Sequence, residues 1–401
     1  MKEFISERIK KIRPSLTVAV NVKANSLRAE GRDVLVLAAG EPDFDTPKNI
    51  QEAAIRAMQK GETRYVPGKG TVELQEAIIN KYKNDNDLIY SKDEITVGVG
   101  GKHIIFNAMM ATINEGDEVI IPAPYWVSYP DIALLADGVP VIVKCEQDND
   151  FKITAEQLEK NITEKTKWFM LNSPSNPTGS MYSLEELQSI AKILIKHPQI
   201  LILTDDIYEK IIYEKNKFYT IAQVEPRLKD RTLTMNGVSK AYCMTGWRLG
   251  YVGGPAEIIS AMNKIQSQST TSTSSITMAA AVEALNGDQG FITEHNNAFQ
   301  KRRDMLVEML NKAKGITCST PTGAFYVYPN CSGCINKITP NGETIKTDED
   351  FMNYMLESEG VAGVHGSAFG LSPFFRISYA TSETILKDAC MRIIRACNNL
   401  K

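Results

Sequence analysis

The sequence predicts an α/β fold: a large domain on a mainly parallel central sheet flanked by helices, with a smaller α+β domain beside it. Three observations lead there. Short apolar runs recur at 94–99, 118–122, 139–143, 168–171, 200–204, 232–235 and 250–253, and most are nearly continuous in apolar character, as strands covered on both faces are. Segments of helical periodicity lie between them, for example at 102–113, 155–161, 183–197 and 256–267. Alternation of this kind marks a parallel sheet. After about residue 290 the pattern changes to a long amphipathic helix reaching Lys312, then strands at 324–328 and 375–379 mixed with helices at 349–359 and 382–398.

Taken in order, 6–31 reads as a helical arm broken at Pro14 and ending at Gly31. A short apolar strand spans 33–40 and stops at Gly40, and a loop of turn formers follows to Pro47. Thr46 is expected as an N-cap, with Pro47 at the first helical position of a helix reaching about Lys60. Residues 61–70 form a loop containing Tyr65, and 72–83 return to helical periodicity. The expected division is an N-terminal arm with part of the small domain at 1–48, a large domain at 49–290 and a small C-terminal domain at 291–401. The strand near 34–38 is expected to join the small domain, making that domain discontinuous.

Composition excludes several function classes. Of 401 residues, 43% are hydrophobic and 23% charged, with a net charge of −3, so nothing favours nucleic acid or an anionic membrane as a partner. No apolar run approaches the ~20 residues of a membrane helix. The charged start, Met1-Lys-Glu-Phe-Ile-Ser-Glu-Arg-Ile-Lys10, lacks the apolar core of a signal peptide, so the expected location is the cytoplasm. Seven scattered cysteines fit a reducing compartment better than a disulfide framework. Cys331-Ser-Gly-Cys334 is a single CxxC with no second pair and no paired histidines, so a loop turn is expected there, without metal.

In open parallel sheets ligands bind beyond the carboxyl ends of the strands, and the residues after each run carry the chemistry. Lys240 follows the run at 232–235 between small neighbours, where its amine can be desolvated and can act as a nucleophile toward a carbonyl. Arg248, eight positions on, has the fork geometry that suits a phosphate. Gly98-Val-Gly-Gly-Lys-His103 leads into a helix and reads either as a phosphate cup or as a plain tight turn; it fails both the Walker A and the dinucleotide patterns. Trp126, on a loop stiffened by Pro122 and Pro124, either stacks on a flat ring or sits in the core. Asn176 is held between Ser175 and Pro177, where its amide can meet a phenolic oxygen. Asp205 ends a buried strand and needs a cation; a protonated pyridine nitrogen and a structural Lys or Arg both answer. Tyr208 can reach the neighbouring ring oxygen. Arg376, in an apolar strand, is expected to be paired, and a carboxylate ligand is one natural partner. Together these describe pyridoxal 5′-phosphate with an amino acid substrate.

The longer motifs are Ala39-Gly-Glu-Pro-Asp-Phe-Asp-Thr-Pro47, Pro124-Tyr-Trp-Val-Ser-Tyr129, Asn172-Ser-Pro-Ser-Asn-Pro-Thr-Gly179, Asp205-Asp-Ile-Tyr208 and Ser239-Lys-Ala-Tyr-Cys-Met-Thr-Gly-Trp-Arg248. With them nearly the whole chain resembles the class I aminotransferases of the pyridoxal-phosphate-dependent fold type I superfamily. Nearest is the bacterial aspartate aminotransferase subgroup that includes aspartate/prephenate aminotransferases. The resemblance implies transfer of the amino group of L-aspartate to 2-oxoglutarate, with prephenate as a further acceptor. It implies Lys240 as the Schiff-base lysine and acid/base, Asp205 on the ring nitrogen, Asn176 and Tyr208 on the ring oxygen, and Trp126 stacked. Gly101 and Lys102 (through backbone N–H groups), Ser239 and Arg248 would surround the phosphate. Gly40 and Arg376 would grip the substrate carboxylate, with Asn176 helping. Tyr65 would reach the phosphate across a homodimer interface.

Two departures matter. The segment 268–275 lacks the arginine with which better-known aspartate aminotransferases hold the distal carboxylate. Arg13, Ser15 and Thr17 are the candidates in its place, Arg13 standing where prephenate-accepting members carry lysine. Cys243 falls where many relatives carry a small Ser, Gly or Ala, a change expected to be neutral. The alternatives are an aminotransferase for aromatic or alanine-type substrates, and a pyridoxal-phosphate-dependent C–S lyase.

Overall fold

All seven apolar runs of the central region enter one sheet. The computed structural model describes residues 4–12, 14 and 16–401, with the side chains of 16–18 also outside the description. The strands are β1 (Leu35–Val36), β2 (Ile95–Gly98), β3 (Glu118–Ala123), β4 (Val139–Lys144), β5 (Thr166–Asn172), β6 (Leu201–Asp205), β7 (Thr232–Gly237), β8 (Gly250–Gly253), β9 (Tyr326–Val327), β10 (Val361–Ala362), β11 (Val364–His365) and β12 (Phe375–Ser378). The large sheet runs β2-β8-β7-β6-β5-β3-β4. Pairs from β4 to β7 are parallel, whereas β8 lies antiparallel to both β2 and β7. The reason is local. A parallel neighbour needs a crossover of a dozen or more residues, usually helical, and the segment between β7 and β8 holds only the short helical turn Thr245–Trp247. That segment carries Lys240.

Both faces of the sheet are covered, and the period-2 alternation of strand side chains shows how. In β5, Trp168 and Met170 enter one apolar cluster with Ile104, Val119 and Leu203, while Phe169 and Leu171 enter another with Ile120, Leu187 and Ile202. Helices Gly101–Thr112 and Leu184–Lys196 supply the residues that close these clusters. The second helix begins at a capping box, Ser183 with Glu186, and a like box, Thr154 with Gln157, opens Ala155–Asn161.

Two smaller sheets complete the fold. β11-β12-β9 is antiparallel, and β1 pairs in parallel with β10. The run at 33–40 forms a strand only at Leu35–Val36, shorter than its apolar character suggests. Beyond Leu37 its backbone serves other partners: the Ala38 carbonyl accepts from Arg376 and the Gly40 carbonyl from Lys240. The expected cap at Thr46 is also corrected. The helix is Lys48–Gln59, its N-cap position is Pro47, and no side chain caps it. The Thr46 hydroxyl instead donates to the Cys243 carbonyl at 2.6 Å and accepts from the Trp247 indole at 2.9 Å, tying this loop to the turn beyond Lys240. Helices Ser128–Leu135 and Ser275–Asn286, and strands β10 and β11, have no counterpart in the sequence reading. No helix among the described residues is long and apolar enough to cross a membrane.

Candidate active site

A cavity of about 370 Å³ opens at the carboxyl ends of β5, β6 and β7. The strand register builds its floor, setting Asn172, Asp205 and Met235 side by side across three strands. Asn172 then works in two directions. Its amide nitrogen donates to the Asp205 carbonyl at 2.8 Å, and its amide oxygen accepts from the Asn176 backbone at 2.8 Å.

Asp205 is 5% exposed. Tyr129 donates to one of its oxygens at 2.7 Å and the Ile207 backbone to the other at 3.3 Å. Burial pushes its pKa up to about 6; the Tyr129 and Ile207 hydrogen bonds and the Lys240 charge hold it from rising further. Lys240 sits three residues beyond β7, and its amine donates to the Gly40 carbonyl at 2.5 Å. Burial lowers its pKa to about 8, the Arg376 charge adds to that, and Glu41 and Asp205 oppose it. A substantial share of the amine is therefore neutral near physiological pH, as a nucleophile or base requires.

The opposite end suits an anion. Helix Gly101–Thr112 points its first N–H groups at the cavity, and a helix N-terminus favours negative charge. Arg248 donates to the carbonyls of Thr245 at 2.8 Å and Val99 at 3.3 Å. Its guanidinium lies against Gly100, whose φ of +83° favours glycine and where a Cβ would displace the guanidinium. Ser239 lines the same end. The Lys102 ammonium lies 5.0 Å from the Trp126 ring centroid and has its pKa lowered by burial and then by Arg248. Trp126 meets Tyr129 edge-on at 5.3 Å.

Arg376 arrives from β12 and is 3% exposed. It donates to the Asn176 amide oxygen at 2.8 Å and to the Ala38 carbonyl at 2.5 Å, between the rings of Tyr326 and Phe369. Its Nε is buried with no partner among the described residues. Tyr208 and Tyr326 share a hydrogen bond of 2.8 Å.

Gly40, Gly101, Lys102, Trp126, Asn176, Asp205, Tyr208, Ser239, Lys240, Arg248 and Arg376 all line this one cavity. Tyr65 does not; it is 94% exposed in the single chain. Arg13 and Ser15 lie outside the described residues, as does the Thr17 side chain. Residues that the sequence reading missed are Tyr129, Asn172, Tyr326, Glu41 and Asn21. Tyr129 and Asn172 stand inside motifs already singled out, and Asn172 opens the run of turn formers right at a strand end. Tyr326 lies mid-run in an apolar stretch and carries no such signal. Cys331 and Cys334 are buried, with thiols directed at the carbonyls of Pro373 and Lys314. Among the described residues no group of His, Cys, Asp and Glu is placed to hold a metal ion.

Residues 32–393 match the family described as aminotransferase class I and II. The probable aspartate/prephenate aminotransferase of Rhizobium leguminosarum bv. phaseoli is 57% identical over 398 residues, covering 99% of this chain and 100% of that one. The aspartate/prephenate aminotransferase of Cereibacter sphaeroides is 55% identical over 397 residues, covering 99% of each. The crystal structure of the aspartate aminotransferase from Rhizobium meliloti superposes with a TM-score of 0.97 at 52% identity over 100% of both chains. That of the Thermus thermophilus aspartate aminotransferase with maleate gives 0.92 at 40% identity, covering 98% of this chain and 100% of that one. The chain belongs to the class I and II aminotransferase family.

Proposed function

We propose that this aminotransferase moves the amino group of L-aspartate to 2-oxoglutarate, giving oxaloacetate and L-glutamate, with pyridoxal 5′-phosphate held at Lys240. The residues fit that cofactor on physical grounds. A buried carboxylate at Asp205 has two hydrogen-bond donors and, among the described residues, no salt bridge, a helix N-terminus and Arg248 converge where a phosphate would sit, and a desolvated amine lies between them. Bound there, the cofactor supplies a protonated ring that delocalises the charge left when the substrate loses its α-proton. The protein's share is positioning and proton transfer. Asp205 would keep the ring nitrogen protonated, Trp126 would stack on the ring, and Tyr208 and Asn176 would donate to its oxygen. Gly101 and Lys102, through their backbone N–H groups, would hold the phosphate with Ser239 and Arg248. Arg376, with Asn176 and Gly40, grips the substrate α-carboxylate. Lys240 takes the α-proton as a base and returns it as an acid.

The observation that favours a dicarboxylic substrate is the number of cations lining one cavity. Arg248 is engaged at the phosphate end, Arg376 at the α-carboxylate and Lys240 at the reacting carbon. The Lys102 ammonium, over Trp126 and also within the field of Asp131, is the cation proposed for a second carboxylate. Arg13 and Thr17 are proposed to assist, and the positive charge at Arg13 favours prephenate as a further acceptor. The full exposure of Tyr65 supports a homodimer in which each Tyr65 reaches the phosphate of the other subunit. Seven scattered cysteines without a framework spacing favour a cytoplasmic location.

A substrate panel tests the reading: aspartate, tyrosine, alanine and cysteine each with 2-oxoglutarate, and prephenate with aspartate as donor. Aspartate is expected to give the highest kcat/KM, and Lys102→Ala is expected to lower that value for aspartate more than for alanine. Preference for tyrosine or alanine, or release of sulfide and pyruvate from cysteine, would replace it.

A further inference from the structure

Two buried phenols meet behind the reacting end of the cavity. The hydroxyls of Tyr208 and Tyr326 are 2.8 Å apart, and either can donate. Among the described residues each is the other's one hydrogen-bond partner. Two hydroxyls bring two protons, and the contact uses one. The other is free to point into the cavity that both residues line. Which phenol keeps the free proton decides what the pair presents to a ligand.

Three observations bear on the choice. The Arg376 guanidinium stands 4.6 Å from the Tyr326 ring centroid. Both phenols have raised pKa values because both are buried, and Arg376 opposes that rise in each. Of the two phenol rings, the guanidinium lies against that of Tyr326 alone, and a cation held there makes Tyr326 the better donor in a contact between neutral hydroxyls. The second observation is steric. A Cβ on Gly40 would lie 2.7 Å from the Tyr326 hydroxyl and 4.0 Å from the Lys240 amine. The Tyr326 hydroxyl is therefore wedged against the Gly40 backbone, whose carbonyl already accepts from Lys240. Third, the two rings meet edge to face, 5.8 Å apart at 83°, which locks the approach of one hydroxyl to the other.

We propose that Tyr326 is a positioning residue: its hydroxyl donates to the Tyr208 oxygen and so directs the single Tyr208 proton toward the cofactor's ring oxygen. Chains of hydrogen bonds polarise one another, so a phenol that accepts from a neighbour is a stronger donor in turn. Tyr326 also stacks on the substrate clamp Arg376 and shapes the Gly40 turn, so one side chain connects the ring-oxygen donor, the carboxylate clamp and the carbonyl that holds Lys240. The inference rests on pyridoxal phosphate occupying this cavity at Lys240.

The test reads the bound cofactor's visible absorption against pH. A donor on the ring oxygen draws off the negative charge that keeps a proton on the lysine nitrogen, so it lowers the midpoint of that titration. Tyr326→Phe removes one oxygen and keeps the ring. It is expected to raise the midpoint by roughly half to one pH unit, the equivalent of one net hydrogen bond. Tyr208→Phe is expected to raise it at least as far, and adding Tyr326→Phe to Tyr208→Phe is expected to change nothing more. An unshifted midpoint in Tyr326→Phe overturns the proposal, as does an equal shift in the Tyr208→Phe background. A Tyr326→Phe protein that melts like the wild type but takes up no cofactor also overturns it, because that result would mean direct contact with the cofactor. Wild-type protein with no titrating visible band would sink the underlying reading and this proposal with it, which separates the two failures.

Discussion

In the cofactor-free protein Lys240 is expected to titrate near pH 8 and not at the 10.5 of a free lysine. At pH 7.5 that leaves roughly a quarter of the amine neutral, against about one part in a thousand for an exposed lysine, a gain of roughly two hundredfold in nucleophile. Burial is the leading cause and Arg376 the second, with Glu41 and Asp205 pulling the other way. Arg376→Met should therefore move the midpoint up and Asp205→Asn should move it down, both by less than burial does. The assay is reductive methylation of the apoprotein between about pH 6 and about pH 11, with the Lys240 peptide quantified by mass spectrometry against exposed Lys192. The linkage runs in a definite direction. The folded-state pKa lies below the unfolded one, so the cost to stability is full below about pH 8 and is relieved as pH rises toward 10.5. The relief amounts to at most ~3 kcal/mol, read as the difference between apoprotein and Lys240→Met. A Lys240 midpoint at or above the ordinary lysine value of 10.5 would refute the reasoning, and an unmoved midpoint in Arg376→Met would refute the part assigned to charge.

Other expectations follow from single contacts. Arg376→Lys loses the fork that reaches both Asn176 and the Ala38 carbonyl; kcat/KM for aspartate should fall about a hundredfold, mostly through KM, and a change under about threefold would count against the clamp. Asp348→Ala should lower stability by about 3–5 kcal/mol in denaturant unfolding. Its buried carboxylate accepts from the Ser367 backbone and hydroxyl, the Ser372 hydroxyl and the Phe374 backbone; the Ser367 hydroxyl would keep its contact with the His365 ring, and the other three donors would be stranded. Gly179→Ala should cost about 2–4 kcal/mol: φ is +70°, and the new Cβ would stand 2.5 Å from Pro321 and 2.6 Å from the Gly323 carbonyl, with no flexible side chain to yield. A melting curve matching the wild type would refute either stability prediction.

Much of the site was legible because its residues sit at the ends of recognisable strands. Asp205 closes a run of apolar residues, Asn176 lies among turn formers, and Lys240 follows β7 without a helix; each placement has a local chemical cause. The distance from Lys240 to Arg376 in the chain hid nothing, since both types of residue demand an anion or a carbonyl once buried. Tyr326 was illegible for the opposite reason. A tyrosine flanked by Phe325 and Val327 looks like core, and only the approach of Gly40 and Tyr208 gives its hydroxyl a purpose. Thr46 shows the same limit from another side: its sequence context fits a helix cap, yet a tertiary contact with Cys243 and Trp247 takes the hydroxyl. The sign of β8 was undetermined too, because apolar periodicity is the same in parallel and antiparallel strands.

The sequence by itself determined the α/β class, the strand ends that bear chemistry, and the identities of the lysine, aspartate and arginines that match pyridoxal phosphate and an amino acid. Those are local properties: periodicity, turn composition, and the electrostatic demands of a charged group in an apolar run. Tertiary structure alone decided the ionisation of Lys240 and Asp205, the hand-over of the Ala38 and Gly40 carbonyls to Arg376 and Lys240, and the pairing of Tyr208 with Tyr326. A pKa depends on burial and on charges brought from distant segments, and a shared proton depends on which hydroxyl lies within 2.8 Å, so neither can be read before the chain has folded.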